Sequence, residues 1–363
     1  MAKGDTFPAE MVGYVDEETG RRVTQLTSSP SHDHHFYFTS TSFHPDGEHL
    51  FFSSRRTGKF NIFSMNLKSG RMRQITECEK ISSLAACLDP RGHEVYYWDG
   101  PDLKASDIET PEERHLYTVP QGFRGGLLSI PDDGSRLVFP ATPILELKTQ
   151  TEKIYSGMQE MFERCDRTDI VVVPTDGSAC WVAYRENCWA SHVNVCPTDP
   201  DLILYCHEGS WTMVQQRMWL VRSDGSGRRP LRPQEPQNAL GHEYWHRDGQ
   251  TVGYHGHLKE GRTDPIFGLI NKDGSHCREY HTQRSTGHSQ SSADGKMHTC
   301  DGAGLICLIE PEDGTASFTP LARHDTSGEM QIGHAHPIFS PDGKFVLFTS
   351  DKSGVCNVYM VEV

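Results

Sequence analysis

The sequence lacks most of what would commit it to a membrane or a nucleic acid. No apolar run in its 363 residues approaches the ~20 needed to span a bilayer. The start, Met1-Ala2-Lys3-Gly4-Asp5, has no apolar h-region, so no secretory signal is expected. Basic residues are outnumbered, 35 Lys and Arg against 49 Asp and Glu, for a net charge of −14. That balance argues against nucleic-acid and anionic-membrane partners. The 11 cysteines are odd in number and scattered, with no CxxC pair. They read as free thiols in a reducing cytoplasm rather than a disulfide framework or a structural zinc site. No Gly-rich phosphate loop is apparent, so no nucleotide cofactor is expected. A small anionic ligand stays open, because a local cluster of His, Arg and metal can override the global sign.

What the chain has instead is a repeat. A small-polar turn recurs at Pro45-Asp46-Gly47, Pro90-Arg91-Gly92, Asp132-Asp133-Gly134, Asp199-Pro200-Asp201, Arg247-Asp248-Gly249, Ala293-Asp294-Gly295 and Pro341-Asp342-Gly343. Five of the six spacings lie in the forties and the third is longer. β-Rich runs follow the turns, such as His49-Leu50-Phe51-Phe52 and Lys344-Phe345-Val346-Leu347-Phe348. The sixth is only the weaker Lys296-Met297-His298-Thr299. A second turn often comes later, as at Asp176-Gly177 and Asp224-Gly225. Each unit thus offers about four short strands, the makings of a propeller blade.

The expected fold is all-β, a seven-bladed β-propeller forming a single domain over residues 1–363. Its last unit ends on Val355-Cys356-Asn357-Val358-Tyr359-Met360-Val361, which supplies only a third strand. Gly20 to Thr27 resembles the fourth strand of the first unit, Gly70 to Thr76, and is expected to close the ring, removing exposed edges. The long third spacing calls for an insertion in blade three, about 143–167. Its apolar residues, among them Leu147, Ile154, Met158, Met161 and Phe162, recur near helical period. A helix is expected over Glu152 to Glu163, with Gly157 in its middle, either flanking a substrate cleft or packing on the rim.

Histidine concentrates just upstream of the repeated turns, where the innermost strand of a blade meets the channel mouth. His32, His34 and His35 precede blade one, Trp189 and His192 blade four, His242 blade five, His288 blade six, and His334 and His336 blade seven. Equivalent positions of separate repeats converge in space. In Gln331-Ile332-Gly333-His334-Ala335-His336-Pro337 the two imidazoles leave one face if the segment is extended, as at the start of a strand. His288, Gln331, His334 and His336 together offer three imidazoles and an amide oxygen, a set suited to a first-row divalent ion with positions left for a ligand. His242 lies in another unit and is expected to face that ligand. Arg217, in Gln216-Arg217-Met218-Trp219, is either a bidentate grip for a carboxylate or half of an ion pair. His207-Glu208 is a substrate contact, a support for one, or a plain loop. His324-Asp325 is read as packing between blades.

These residues carry a family likeness. Cys206-His207-Glu208-Gly209, Arg217-Met218-Trp219, His242-Glu243-Tyr244-Trp245, Arg323-His324-Asp325-Thr326-Ser327 and Gln331-x-x-His334-x-His336-Pro337 resemble, in order, motifs of the oligogalacturonate lyases. The opening Met1-Ala2-Lys3-Gly4 and the His34 to Gly47 stretch are similar as well. The resemblance implies a cytoplasmic, manganese-using propeller that splits short 4-linked oligogalacturonates by β-elimination in pectin degradation. It implies metal ligation by His288, Gln331, His334 and His336, a base at His242 and a carboxylate-binding Arg217. His34, His192 and His207 are expected to contact the oligouronate substrate. Two rivals stand beside this reading: a lyase for a different uronate oligosaccharide, and a non-catalytic propeller that binds proteins. The second predicts no order among the histidines.

Overall fold

The computed structural model describes residues 2–151, 153, 155–210 and 213–363. Among them the strands form six sheets. Five hold four or five strands and the sixth holds eight. The large one consists of two four-stranded antiparallel halves, Ala239–Trp245 to Arg278–Thr282 and Ser289–Ser291 to Thr315–Arg323. Only a short parallel contact, His281 opposite Thr315 and Thr282 opposite Ala316, joins them. Apart from that junction, strands that neighbour one another in a sheet pair antiparallel, giving a propeller-like all-β fold.

The recurring turn is local chemistry. The Asp46 carboxylate accepts hydrogen bonds from the backbone N–H groups of Glu48 and His49, at 2.7 and 3.0 Å. Asp248 does the same for Gln250 and Thr251. An Asp side chain that mimics a backbone turn in this way reverses the chain between a unit's first and second strands. Gly249 completes its turn with φ +61°, and a Cβ there would meet Thr198 Oγ1 at 2.0 Å, so a larger residue is excluded twice over. The fourth turn differs from expectation. It lies at Pro197-Thr198, with Cys196 paired to Asp199, and Asp199–His207 is already strand. Asp201 instead accepts from Ser223 and Arg136 side chains, so its carboxylate is spent on neighbours rather than on a turn.

The core lies between adjacent sheets. Phe51 and Ile62 of the first pack on Leu88, Val95 and Tyr97 of the second. Trp98 of the second meets Phe139 of the third edge-on at 4.9 Å. Burying each such side chain contributes roughly 2–3 kcal/mol. At the chain ends, Arg22–Gln25 pairs antiparallel with Asn357–Glu362, Val23 opposite Val361. Thr27 Oγ1 donates to Asn357 Oδ1 at 3.0 Å beside this pair. All eleven cysteines are free, eight of them buried. No helix among the described residues is long and apolar enough to cross a membrane.

The insertion lies between strands Arg136–Pro143 and Thr168–Pro174. Its helix is shorter than the periodicity predicts, running only over Met158–Arg164. The reason is Gly157, which sits at φ +75° and starts the helix instead of lying inside it. Glu152 and Ile154, counted in the expected helix, lie outside the described residues. Phe162 of the helix packs on Gly209, where a Cβ would approach its ring to 2.3 Å. Lys153 bridges Met330 antiparallel, which ties the insertion to the segment before Gln331.

Candidate active site

Two cavities lie at opposite ends of the units' first strands, among them Ala190–Cys196, Ala239–Trp245, Ser289–Ser291 and Ile338–Phe339. One cavity, of about 290 Å³, is framed by the repeated turns, including Pro45, Pro90, Arg247 and Pro341. The other, of about 570 Å³, collects His192, Arg217, His242, His288, Gln331 and His334. The insertion forms part of its wall through Gln150, Lys153, Tyr155 and Met161. It therefore flanks the cleft instead of merely packing on a rim.

One backbone device recurs at this cavity. His192, His242 and His336 have φ of +45°, +51° and +45°. In two of these strands the partner register slips, Ser191 to Asn194 opposing Cys206 to Leu204 and Gly241 to Tyr244 opposing His255 to Gly253. The third matches, since Ala335 accepts from Thr349 N–H while Ile338 opposes Leu347. Each is a β-bulge, two residues facing one, and each turns an imidazole out of the alternation of a regular strand. The segment at 331–336 is thus not the plain strand start expected. Gln331–Gly333 is a 3₁₀ turn, His334 is extended and His336 is left-handed, and strand resumes only at Ile338. Left-handed non-Gly residues cost of order 1–3 kcal/mol each, and they cluster at functional sites.

His288, His334 and His336 are all buried, and their ligand nitrogens lie within 4.8 Å of one another. His334 Nδ1 and His336 Nε2 are buried without a hydrogen-bond partner. A buried polar atom left unpaired costs about 1–3 kcal/mol, which a metal ion would recover. His288 Nδ1 lies 3.1 Å from Asp301 Oδ2, and its backbone N–H also donates to that carboxylate. This is the carboxylate–histidine arrangement that orients a ligating imidazole. Burial, with His288 close by, pushes the His334 pKa down to about 3 and His336 well below its ordinary value. Both rings are therefore neutral, as ligation requires. Gln331 lines the same cavity and is exposed to it, with an amide oxygen to offer. Three imidazoles and an amide oxygen fit a first-row divalent ion.

Beside this group His242 stands with its ring 4.2 Å from that of His288, centroid to centroid. Its Nδ1 is 2.8 Å from His255 Nε2, and His255 Nδ1 in turn meets Thr286 Oγ1. Burial, then the neighbouring His288 and His255, hold His242 far below the usual imidazole range, so it is neutral. His192 stacks on it at 5.6 Å and reaches Tyr37 Oη at 3.2 Å.

Arg217 is only 1% exposed and is held between two carboxylates, Nη1 to Glu208 Oε1 at 3.1 Å and Nε to Glu243 Oε2 at 2.9 Å. Neither contact uses Nη2. Burial would raise the Glu208 carboxyl, yet Arg217, His192 and Ser191 outweigh it and hold the pKa at about 2. Both sequence alternatives for Arg217 thus meet in one residue. It is an ion-paired arginine, buried rather than superficial, on the wall of the cavity.

Two expected substrate contacts are not brought to the cavity. His34 pairs across to Ser53, sets its ring against Phe60 and bonds the His35 carbonyl through Nδ1. In the two-residue strand Asp33–His34 the alternation sends it away, and it is His35 whose Nε2 meets the His336 carbonyl at 2.7 Å. His207 likewise turns from the cavity, against Trp219 at 5.0 Å and Glu186 at 3.3 Å. His324 accepts from Thr326 N–H at 3.2 Å and does not line the cavity. The sequence reading missed His255, Asp301, Glu243 and Tyr155. For His255 and Asp301 the signal was weak, each being one of several polar residues in its unit's second strand, Thr251–Lys259 and His298–Gly302.

Comparisons with known proteins converge on one group. The family described as oligogalacturonate lyase matches residues 1–317. Oligogalacturonate lyase of Dickeya dadantii is 27% identical, covering 100% of this chain and 98% of its own. Oligogalacturonide lyase of Pectobacterium atrosepticum is 28% identical with the same coverage. A solved oligogalacturonate lyase in complex with manganese superposes with a TM-score of 0.91 at 28% identity, over 100% of this chain and 98% of that one. Another, from Vibrio parahaemolyticus, gives 0.90 at 27%, over 100% and 99%. With the family matched over most of its length, the chain belongs to the oligogalacturonate lyases.

Proposed function

We propose that this protein is a manganese-dependent lyase that cleaves short 4-linked oligogalacturonates, such as digalacturonate, by β-elimination to unsaturated or keto-deoxy uronates, in pectin degradation. The observation that carries the proposal is a buried group of three histidines, two of them with partnerless nitrogens, at the cavity that a neutral His242 and Arg217 line. His288, Gln331, His334 and His336 would hold the ion. When bound, it would neutralise the substrate carboxylate and stabilise enolate-like charge beside it.

The chain's own residues account for the rest. β-Elimination removes the C5 proton beside a carboxylate, forms the C4–C5 double bond from that electron pair and expels the C4 oxygen. A neutral imidazole at His242 takes the proton, and His255, bonded to its Nδ1, fixes the tautomer and ring orientation. Arg217 presents its Nη2 edge to the carboxylate, while Glu208 and Glu243 hold the guanidinium in place. His192 supports the same face through its stack on His242.

The finer architecture belongs to this reading. We take the two halves of the large sheet as separate blades, so that seven blades ring the channel and Arg22–Gln25 closes the last against Asn357–Glu362 as one domain. The free cysteines suit a cytoplasmic enzyme. The test is ultraviolet absorbance of unsaturated product over a panel of uronate disaccharides with added manganese. Digalacturonate should give product. No product from any uronate with any divalent ion would leave a protein-binding propeller in its place, and product from another uronate alone would change the substrate.

A further inference from the structure

Three cationic side chains line the larger cavity, Arg124, Lys153 and Arg217, against one lining carboxylate, Glu208. They differ in what they already hold. Arg217 is shared between two glutamates, so only its Nη2 edge is left for the reacting carboxylate. Among the described residues, the Arg124 and Lys153 side chains make no hydrogen bond or ion pair with the protein, and both are exposed. They come from separate places. Arg124 is on the first strand of the third sheet, opposite Thr142. Lys153 is on the insertion, at the bridge to Met330 and so next to the turn that bears Gln331. An oligogalacturonate brings one carboxylate per ring into this cavity, and only one of them belongs to the reacting ring. The others need cations that are not already paired.

We infer that Arg124 and Lys153 bind the carboxylates of the uronate rings next to the reacting one, and that this is how the cavity selects oligomers over a monomer. The inference rests on the oligogalacturonate reading. It also gives the insertion a function, since Lys153 lies outside the repeating strands and lines the cavity where the insertion bridges Met330. A guanidinium and an ammonium suit the two positions differently. Arg124 can fork onto a carboxylate bidentately, whereas Lys153 acts as a point charge.

The test uses Arg124→Gln, Lys153→Gln and the double variant, loaded with manganese. Each single change should raise the KM for trigalacturonate about tenfold, the worth of one charge-assisted contact, with kcat within twofold. The salt dependence of KM should flatten in the double variant. Lys153→Arg should restore most of the loss. Calorimetric titration into His242→Ala, which leaves the sugar uncleaved, supplies a readout free of turnover. There trigalacturonate should bind at least tenfold tighter than monogalacturonate, and the added Arg124→Gln and Lys153→Gln changes should abolish that preference. A double variant that keeps the parent's KM and its preference for the oligomer overturns the inference, as does a parent chain that binds no oligomer better than the monomer. If the parent forms no unsaturated product yet shows an oligomer preference that the double variant loses, the subsite stands and the lyase reading falls.

Discussion

The two sides of the larger cavity are built on opposite plans. Around Arg217 the charges are already matched, with a buried guanidinium between two buried glutamates, one of which also accepts from Ser191. Around His334 and His336 the polar atoms are left open, each with a buried ring nitrogen that meets no partner. Most buried polar atoms in a folded chain are paired, so two open nitrogens side by side call for a partner. The arginine side is thus an ion-paired scaffold that leaves Glu243 Oε1 and the Nη2 edge open, and the histidine side is the one we take as the metal receptor. The same residue types, read from sequence, look equally ready to bind.

The sharpest break of that contrast is His334→Ala with His336→Ala. Metal content should fall from one ion per chain to none, and turnover by roughly 10³-fold or more, the scale of lost transition-state charge stabilisation. The melting temperature should stay within a few degrees of the metal-stripped parent, because the core packs between sheets and not at the site. His242→Ala should lower kcat by roughly 10²–10⁴ and leave metal content unchanged. His255→Gln should lower kcat less, with a shifted pH profile, since it acts on the reaction only through His242.

Arg217→Ala attacks the ion-paired side, and its main effect should be on stability. Leaving two buried carboxylates without their cation should cost about 3–5 kcal/mol of unfolding free energy, measured by denaturant titration. Arg217→Met together with Glu208→Gln and Glu243→Gln should recover much of that stability and none of the activity. If the single change instead leaves stability intact, the arginine is not the scaffold described here. Asp301→Asn should be milder, weakening metal affinity about 10–100-fold by freeing the His288 ring.

The smallest effect concerns pH. His246 and His298 lie outside both halves, bonded to Ser291, and burial holds them at about 4 and about 3. Their folded pKa values are below the unfolded one near 6.5, so the unfolded chain takes up protons first. Their stabilising share is whole above about pH 6.5 and falls as the pH drops toward 3, by up to about 1.4 kcal/mol per pH unit for each histidine. Replacing both with Gln should flatten the acid limb of a stability–pH curve over that window. Glu208 has the usual carboxylate sign, its share present above about pH 4.5 and lost as the pH falls toward about 2.

What could be read from the sequence was what is decided locally and repeated. The Asp-Gly turns declared themselves because each Asp satisfies its own turn, and the histidines because they recur at one offset from those turns. What could not be read depends on pairing across strands. The left-handed bulges at His192, His242 and His336 exist because two residues face one, which no single segment reveals. His34 and His35 are adjacent, and only the register with Ser53 decides which turns toward the site. The glutamates that embrace Arg217 follow His207 and His242 directly in the chain, yet their convergence on one guanidinium is tertiary. Gly157 was legible as an irregularity, and its left-handed φ turned that irregularity into a helix start.

The most direct test of the central claim is a manganese titration into metal-stripped protein, following bound metal and digalacturonate cleavage together. Binding should saturate at one ion per chain, unsaturated product should rise in step with it, and the His334→Ala, His336→Ala variant should show neither. Product at the parent rate from metal-free protein, or an ion bound as tightly by that variant, would contradict the assignment of the open histidine side as the metal receptor.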